Sequence, residues 1–218
     1  FLYAPIRDIL NGNATQESYW RNSQIEKIAD KKSRNLFDNF EWLITQGSLF
    51  DDHGVKVTVD KEGDVIVVGD FQGTIYMGSV NNIASQDVYL ASNAYQGVYV
   101  AKYNSVGVLQ WARKIEGDIT TGDIYARSIT SDVSNNIYVV YDCKPPTSPS
   151  PANMGIIKFN SSGANINTLS IPVSYIVPPV DGFIGDIKTD KYENLYICGG
   201  FQGVATFGSN ILSSPSLV

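Results

Sequence analysis

Three stretches of the chain repeat the same order of apolar and polar positions. Each begins with a short alternating segment, passes through an Asp and a polar tetrapeptide, and ends in a run of four apolar residues, at residues 65–68, 137–140 and 195–198. Alternation over a few residues predicts a half-buried strand. A continuous apolar run bounded by turn residues predicts a strand covered on both faces.

The repeats are anchored by three aspartates, Asp60, Asp132 and Asp190. The residues after each anchor are rich in Asp, Asn, Ser and Gly, which hydrogen-bond to nearby backbone and adopt the left-handed conformations that tight turns need. Each anchor therefore predicts a hairpin. Cys198 ends the third apolar run, so we expect it to be a buried, unreactive thiol.

A second hairpin motif occurs twice, once after the Asp60 hairpin and once after the Asp132 hairpin. Residues 98–111 and 154–167 share the order Lys, aromatic, Asn, Ser, any residue, Gly, and we expect Gly107 and Gly163 to supply the turn. A Trp precedes the first and second anchors, at Trp42 and Trp111. A Phe-x-Gly segment follows the first and third apolar runs, and begins at Phe71 and Phe201.

Two hairpins in each unit give about four strands, and tandem four-stranded sheets are typical of a β-propeller. The sequence predicts an all-β partial propeller of about two and a half blades. The predicted segments are an arm at 1–40 and repeats at 41–110, 111–168 and 169–218, of which the last is incomplete because its Lys-Tyr-Asn hairpin is absent.

The order of these motifs resembles the SBBP type of bacterial β-propeller repeat. The resemblance covers about residues 41 to 218 and implies a propeller blade, an extracellular setting and no particular activity. The middle copy departs from the pattern, because residues 144–151 replace the Phe-x-Gly segment with a proline-rich loop that cannot donate to a strand ladder. We expect that blade to have a disordered or interaction-prone edge.

Residues 1–40 do not repeat. Ser23 is a capping residue, and Ile25, Ile28 and Ala29 follow at helical spacing without Gly or Pro up to residue 37. This pattern predicts a short amphipathic helix. It would either cover an exposed blade or dock on a partner.

The composition narrows the classes of partner. The chain has 218 residues, of which 43% are hydrophobic and 17% charged, and its formal net charge is −6. Such a composition is typical of a globular protein. Net negative charge with scattered Lys and Arg argues against nucleic-acid binding. No apolar run approaches the roughly eighteen residues of a membrane-spanning helix.

Candidate chemistry is sparse. His53 is the only histidine, and the corresponding places in the other copies hold Tyr125 and Phe183, so we expect a loop histidine without a catalytic role. A Ser-His-Asp arrangement would also need a nucleophile motif that the chain lacks. The alternating Asp60, Glu62 and Asp64 are spaced like Ca²⁺ ligands, but a turn explains all three copies. We predict no catalytic, cofactor or metal residues.

The predicted function is a non-enzymatic structural or protein-interaction module, belonging to a larger chain or assembly. Its partners would be a protein or further propeller blades, contacted through edge strands and loops. The expected setting is extracellular or at a cell surface, and a virion is a further possibility. The alternatives are a propeller-based lyase or hydrolase with its site at the central channel, and a carbohydrate-binding module.

Overall fold

A computed structural model describes residues 42, 44, 46–78, 88–93, 95–117, 122–144, 153–174, 183–201, 204–207 and 209–213. Within these residues the chain forms fourteen β-strands and no helix, which confirms the all-β class. No helix that could cross a bilayer occurs there. The predicted helical arm and most of the proline-rich loop lie outside the described residues.

The first sheet contains four antiparallel strands in the order β1-β2-β5-β6. The six strands of this part of the chain are β1 (His53–Val59), β2 (Val65–Phe71), β3 (Thr74–Met77), β4 (Val88–Ala91), β5 (Gly97–Tyr103) and β6 (Leu109–Ile115). Strands β3 and β4 form a separate hairpin between β2 and β5. The predicted pair of hairpins in one unit therefore builds one sheet, with Trp111 on its last strand.

The second sheet has the same four-strand core, and two more strands extend it. The remaining strands are β7 (Asp123–Ser131), β8 (Ile137–Lys144), β9 (Asn153–Phe159), β10 (Asn165–Ser174), β11 (Phe183–Thr189), β12 (Leu195–Gly200), β13 (Val204–Phe207) and β14 (Asn210–Ser213). The second sheet runs β14-β13-β10-β9-β8-β7, and β11 and β12 form a third sheet of two strands.

The sheets stack face to face, with their first strands adjacent. Strand β7 packs against β1 on one side and against β11 on the other. The core between the first and second sheets contains Ile66, Val68, Ile129 and Val139, all at most 1% exposed. Each sheet therefore covers the apolar face of its neighbour, as the repeated apolar runs predict.

The short hairpins join each unit to the one before it. Strand β13 pairs with the end of β10 at Val173 and Ser174. The equivalent strand β3 makes an isolated bridge from Tyr76 to Gly47, in the segment that contains Trp42. Phe71, which precedes the first of these hairpins, is fully buried. The Phe-x-Gly segment thus starts a hairpin that extends the preceding sheet.

The prediction that all three apolar runs are covered on both faces is correct for two of them. Every residue of β8 except Tyr141 and Lys144 is buried, and β2 is buried from Val68 onward. In β12, however, all residues from Tyr196 to Gly199 are exposed, including the Cys198 thiol. The expectation of a buried Cys198 was wrong because, in the described part of the chain, only the second sheet packs on the third.

Candidate interaction site

The three predicted anchors form the same turn. The Oδ1 atom of Asp60 accepts the backbone N–H groups of the second and fourth residues after it, both at 3.0 Å. Asp132 and Asp190 accept the corresponding pairs of N–H groups at 2.8 to 2.9 Å. An aspartate that caps two backbone donors fixes the turn locally, so each anchor aligns the first two strands of its sheet.

In the first two sheets, the second oxygen of the anchor faces a Lys on the third strand of the same sheet. Lys102 on β5 donates to Asp60 Oδ2 at 2.7 Å and lies 3.1 Å from Asp64. Lys102 and Asp60 are buried, at 3% and 6% exposure. Burial lowers the pKa of Lys102, but the hydrogen bonds to the two carboxylates outweigh it and raise the pKa overall.

The second sheet repeats this pairing with an aromatic ring added. Lys158 on β9 lies 3.9 Å from Asp132 and 4.9 Å from the centre of the Tyr138 ring. The Tyr138 hydroxyl donates to Asp132 Oδ2 at 3.0 Å. Burial raises the pKa of Asp132, but hydrogen bonds from Asn136, Tyr138 and the backbone lower it overall. The sequence showed the shared Lys but not its partner.

The third anchor has the turn and the tyrosine but no cation. Tyr196 donates to Asp190 Oδ2 at 3.1 Å, and the Asn194 side chain donates to the same oxygen at 2.9 Å. The hydrogen bond from Asn194 lowers the pKa of Asp190. Among the described residues, no Lys or Arg nitrogen lies within 4.0 Å of this carboxylate.

Neighbouring turns contact one another at one end of the stack. Lys61 donates to the carbonyl of Val133 at 2.7 Å, and Asn135 donates to Glu62 Oε1 at 2.7 Å. Thr189 donates to the carbonyl of Ser131 at 2.7 Å. These bonds join successive sheets, so the turns fix the stacking as well as each hairpin.

The first turn carries three acidic side chains, and two of them, Asp60 and Asp64, form salt bridges with Lys102. Carboxylate oxygens of Asp60, Glu62 and Asp64 lie within 4.8 Å of one another, which is close enough for a metal ion. The Lys102 ammonium already lies between two of them, and both oxygens of Asp60 accept hydrogen bonds. A divalent cation would have to displace this buried ammonium.

The two tryptophans of the repeat bond to the turns of the second hairpin motif. Trp111 on β6 donates to the carbonyl of Ser161, in the β9–β10 turn, at 3.0 Å. Trp42 makes the equivalent bond to Ser105 at 3.2 Å. Both turn glycines, Gly107 and Gly163, have φ of +78°. Trp111 thus connects the first sheet to a turn of the second, and Trp42, which precedes β1, connects to a turn of the first.

A cavity of about 560 Å³ lies at the opposite end of the inner strands. Its lining includes His53, Asp70, Tyr125 and Arg127, which belong to the first and second sheets. Burial raises the pKa of Asp70 to about 6, against the lowering effects of the Ala126 N–H, His53 and Arg127. The repeat pattern gives His53 and Tyr125 equivalent positions but does not predict that they line one cavity with Asp70 and Arg127.

The cavity wall is formed by a bulge that recurs in the three inner strands. The ladders of β1, β7 and β11 each skip one residue, namely Val55, Arg127 and Gly185. A bulge re-aims side chains at the edge of a sheet. It directs Arg127 so that its Nε donates to Asp142 at 2.5 Å, and it places all three skipped residues at the cavity.

Both ends of the stack present apolar strand surface. Val57 on β1 is 56% exposed and Tyr196 on β12 is 58% exposed. Their counterparts inside the stack, Ile129 and Tyr138, are 1% and 8% exposed. Leu195 packs toward the second sheet, so alternation directs Tyr196 and Cys198 away from it.

No known protein-family model matches the chain. In an alignment 127 residues long that covers 54% of the chain, the chain is 31% identical to an uncharacterised WD repeat-containing protein of Acanthamoeba polyphaga mimivirus. The chain spans only 8% of that relative's length. WD repeats build β-propellers, so this similarity and the stacked antiparallel sheets together support a repeat protein of the β-propeller type. The resemblance to the SBBP type and the number of blades stay predictions.

Proposed function

We propose that the chain is a non-enzymatic protein-interaction module of the β-propeller type, whose partners are further blades of the same kind. The observation that carries this proposal is the exposure of Val57. It is 56% exposed, whereas the equivalent Ile129 and Ile187 are 1% and 0% exposed beneath the preceding sheet. Apolar surface that is covered in every other copy favours association.

The exposed faces of β1 and β12 complement each other. The β1 face corresponds to the side of each inner sheet that receives the preceding sheet, and the β12 face corresponds to the side that receives the following one. Contacts between two such different faces are head-to-tail, and they generate rings when the rotation closes. Each blade interface inside the chain therefore serves as a template for an interface between chains.

Sedimentation velocity over about 1 to 100 µM tests the proposal, because this range detects association of micromolar affinity or tighter. We expect wild-type protein to associate with rising concentration. Val57→Asp and Cys198→Asp, at opposite ends, should each weaken association, and an equimolar mixture should form a dimer through the two intact faces. Ile166→Asp, at a residue on β10 that is 51% exposed, is the matched control. A chain that stays monomeric, or variants that all behave alike, would contradict the proposal.

We also propose that the module acts in an extracellular, surface or virion-associated assembly. The predicted SBBP resemblance favours the first two settings, and the similarity to a viral protein favours the last. Quantitative mass spectrometry of secreted, membrane and particle fractions from the source would test this. Enrichment in none of the three fractions would contradict it.

The cavity at the end of the inner strands favours a second candidate function, a lyase or hydrolase. A carboxyl group with a pKa of about 6, as at Asp70, is suited to general acid–base catalysis near neutral pH, and Tyr125 and His53 line the same cavity. The test is a panel of esters, glycosides and uronates, with pH–rate profiles. Loss of a measured activity in Tyr125→Phe, with unchanged thermal unfolding, would support this candidate. Absence of any turnover would exclude it for those substrates.

A further inference from the structure

In the described part of the chain, the second strand of the third sheet is paired along one edge, whereas its counterparts in the first two sheets are paired along both. Strand β2 pairs with β1 on one edge and with β5 on the other, and β8 pairs in the same way with β7 and β9. Strand β12 pairs with β11 alone in the described part of the chain. Its second edge therefore presents backbone N–H and C=O groups from Leu195 to Gly200, and such an edge is a template for a further strand.

The side chains of β12 are suited to burial by such a strand. Tyr196 is 58% exposed and Ile197 is 38% exposed, whereas the equivalent Tyr138 and Val139 are 8% and 0% exposed. The sequence of β12 is as apolar as that of its counterparts. Ile197 lies on the same side of β12 as Leu195, which packs toward the second sheet, so its exposure reflects the unpaired edge in the described part of the chain and not the outer face of the sheet.

The Lys–Asp pairs of the first two sheets indicate which residue a strand added to β12 would carry opposite Tyr196. In the β2–β5 ladder Lys102 lies opposite Ile66, and in the β8–β9 ladder Lys158 lies opposite Tyr138. Both lysines bind the anchor aspartate of their own sheet. In the third sheet, the residue that corresponds to Ile66 and Tyr138 is Tyr196, which donates to Asp190.

We propose that the open edge of β12 binds an extended partner segment by antiparallel strand addition, with a Lys opposite Tyr196 whose ammonium pairs with Asp190. The partner segment has the pattern of β5 and β9, in which a run of apolar residues leads into Lys, an aromatic residue and Asn. Main-chain bonds to the edge supply affinity, and the Lys fixes register. This inference rests on the proposed function and names the segment that a partner blade contributes.

A labelled peptide with the sequence of residues 97–105 is the probe. We expect it to bind the full-length chain saturably. A Lys102→Met peptide should bind at least about tenfold more weakly, because the Asp190 carboxylate would then be covered by the added strand without a cation. The Met side chain keeps most of the apolar stem of Lys. The pair of peptides therefore separates charge from packing.

The matching change in the protein is Asp190→Asn. The amide oxygen can still accept the N–H groups of Tyr192 and Asn194, so the turn is kept. We expect this variant to bind the Lys peptide as weakly as wild type binds the Met peptide, with no further loss for the Met peptide. Asp51→Asn, at an exposed carboxylate in another loop, is the control and should not alter binding.

Amide exchange distinguishes the occupants of the edge. We expect the outward amides of residues 195–200 to exchange quickly in the free chain and to become protected when peptide is added. Equal binding of both peptides would overturn the proposed Lys–Asp190 pair. Slow exchange in the free chain without peptide binding would show that another segment or a second copy already covers the edge, and would overturn the proposal as a whole.

The sedimentation experiment tests the two exposed sheet faces, whereas the peptide tests only this edge. Failure of peptide binding with intact chain association therefore contradicts this inference and leaves the proposed function standing. Loss of chain association with intact peptide binding contradicts the proposed association through the sheet faces and leaves the inference about the β12 edge standing.

Discussion

Asp70, at the end of the second strand of the first sheet, accepts a hydrogen bond from the backbone N–H of Ala126 in the second sheet at 2.5 Å. Asp142 accepts the equivalent N–H, that of Ile184 in the third sheet, at 3.4 Å. Gly200 occupies the same register position in the third sheet. Two successive sheets are thus joined by a carboxylate that reaches the bulge of the next inner strand.

The first prediction concerns the pH dependence of stability. Burial raises the pKa of Asp70 from 3.8 to about 6, so the folded state holds this proton more tightly than the unfolded state. The contribution of Asp70 to the free energy of unfolding is therefore greatest below pH 4 and falls as pH rises to 6, by about 3 kcal/mol. We expect Asp70→Asn to be more stable than wild type at pH 7.5 and equal to it near pH 4.

Urea unfolding from pH 4 to 8 measures this difference. The carboxylates of Asp132 and Asp186 have lowered pKa values and change stability in the opposite direction, so only the difference between wild type and variant isolates Asp70. Asp51→Asn serves as the control. A difference that does not vary with pH would show that Asp70 titrates normally.

The second prediction compares two lysines of the repeat. Lys102→Met leaves the buried Asp60 without its cation, and we expect a loss of about 3–5 kcal/mol in the free energy of unfolding. Lys158→Met removes a longer contact of 3.9 Å from a side chain that is 26% exposed, and we expect a loss of about 1 kcal/mol or less. Similar losses in urea unfolding would contradict the assigned difference between the two pairs.

The repeat architecture could be predicted from the sequence because its signals are local. The capping role of Asp60 depends on residues two and four positions later, and the strand that follows depends on an unbroken apolar run. The partner of Lys102 could not be predicted in this way. It lies 42 residues away in the chain, and it is reached only through the register of two ladders.

Neither the cavity nor the exposed face of β12 could be predicted from the sequence, and the physical reasons differ. His53 and Tyr125 reach one cavity because neighbouring inner strands pack together, each with a bulge, and the sequence shows neither feature. The residue types at Tyr196 and Cys198 match buried counterparts. Their exposure depends on whether a further sheet is present, which composition does not encode.

The third prediction separates backbone strain from packing at two glycines. A Cβ atom on Gly163, where φ is +78°, would lie 2.6 Å from the Trp111 ring, whereas one on Gly63, where φ is +84°, would meet nothing within 4 Å. Gly63→Ala should cost about 1–2 kcal/mol through its left-handed conformation. Gly163→Ala should cost about 1–3 kcal/mol more, because a rigid indole must move. Equal shifts in urea midpoint would exclude a tight contact with Trp111.

The last prediction uses the two thiols to test whether the third sheet is open. Cys198 is exposed on β12, and Cys143 is buried at 6% exposure in the core between the first and second sheets. Because a thiol must reach solvent to react, we expect a disulfide reagent to label one thiol of the native chain quickly and the second only in denaturant. Cys143→Ala should keep the fast reaction, and Cys198→Ala should abolish it. If native Cys198 reacts as slowly as Cys143, the face of β12 is covered in solution, and the apolar surface that favours association at this end of the stack is already occupied.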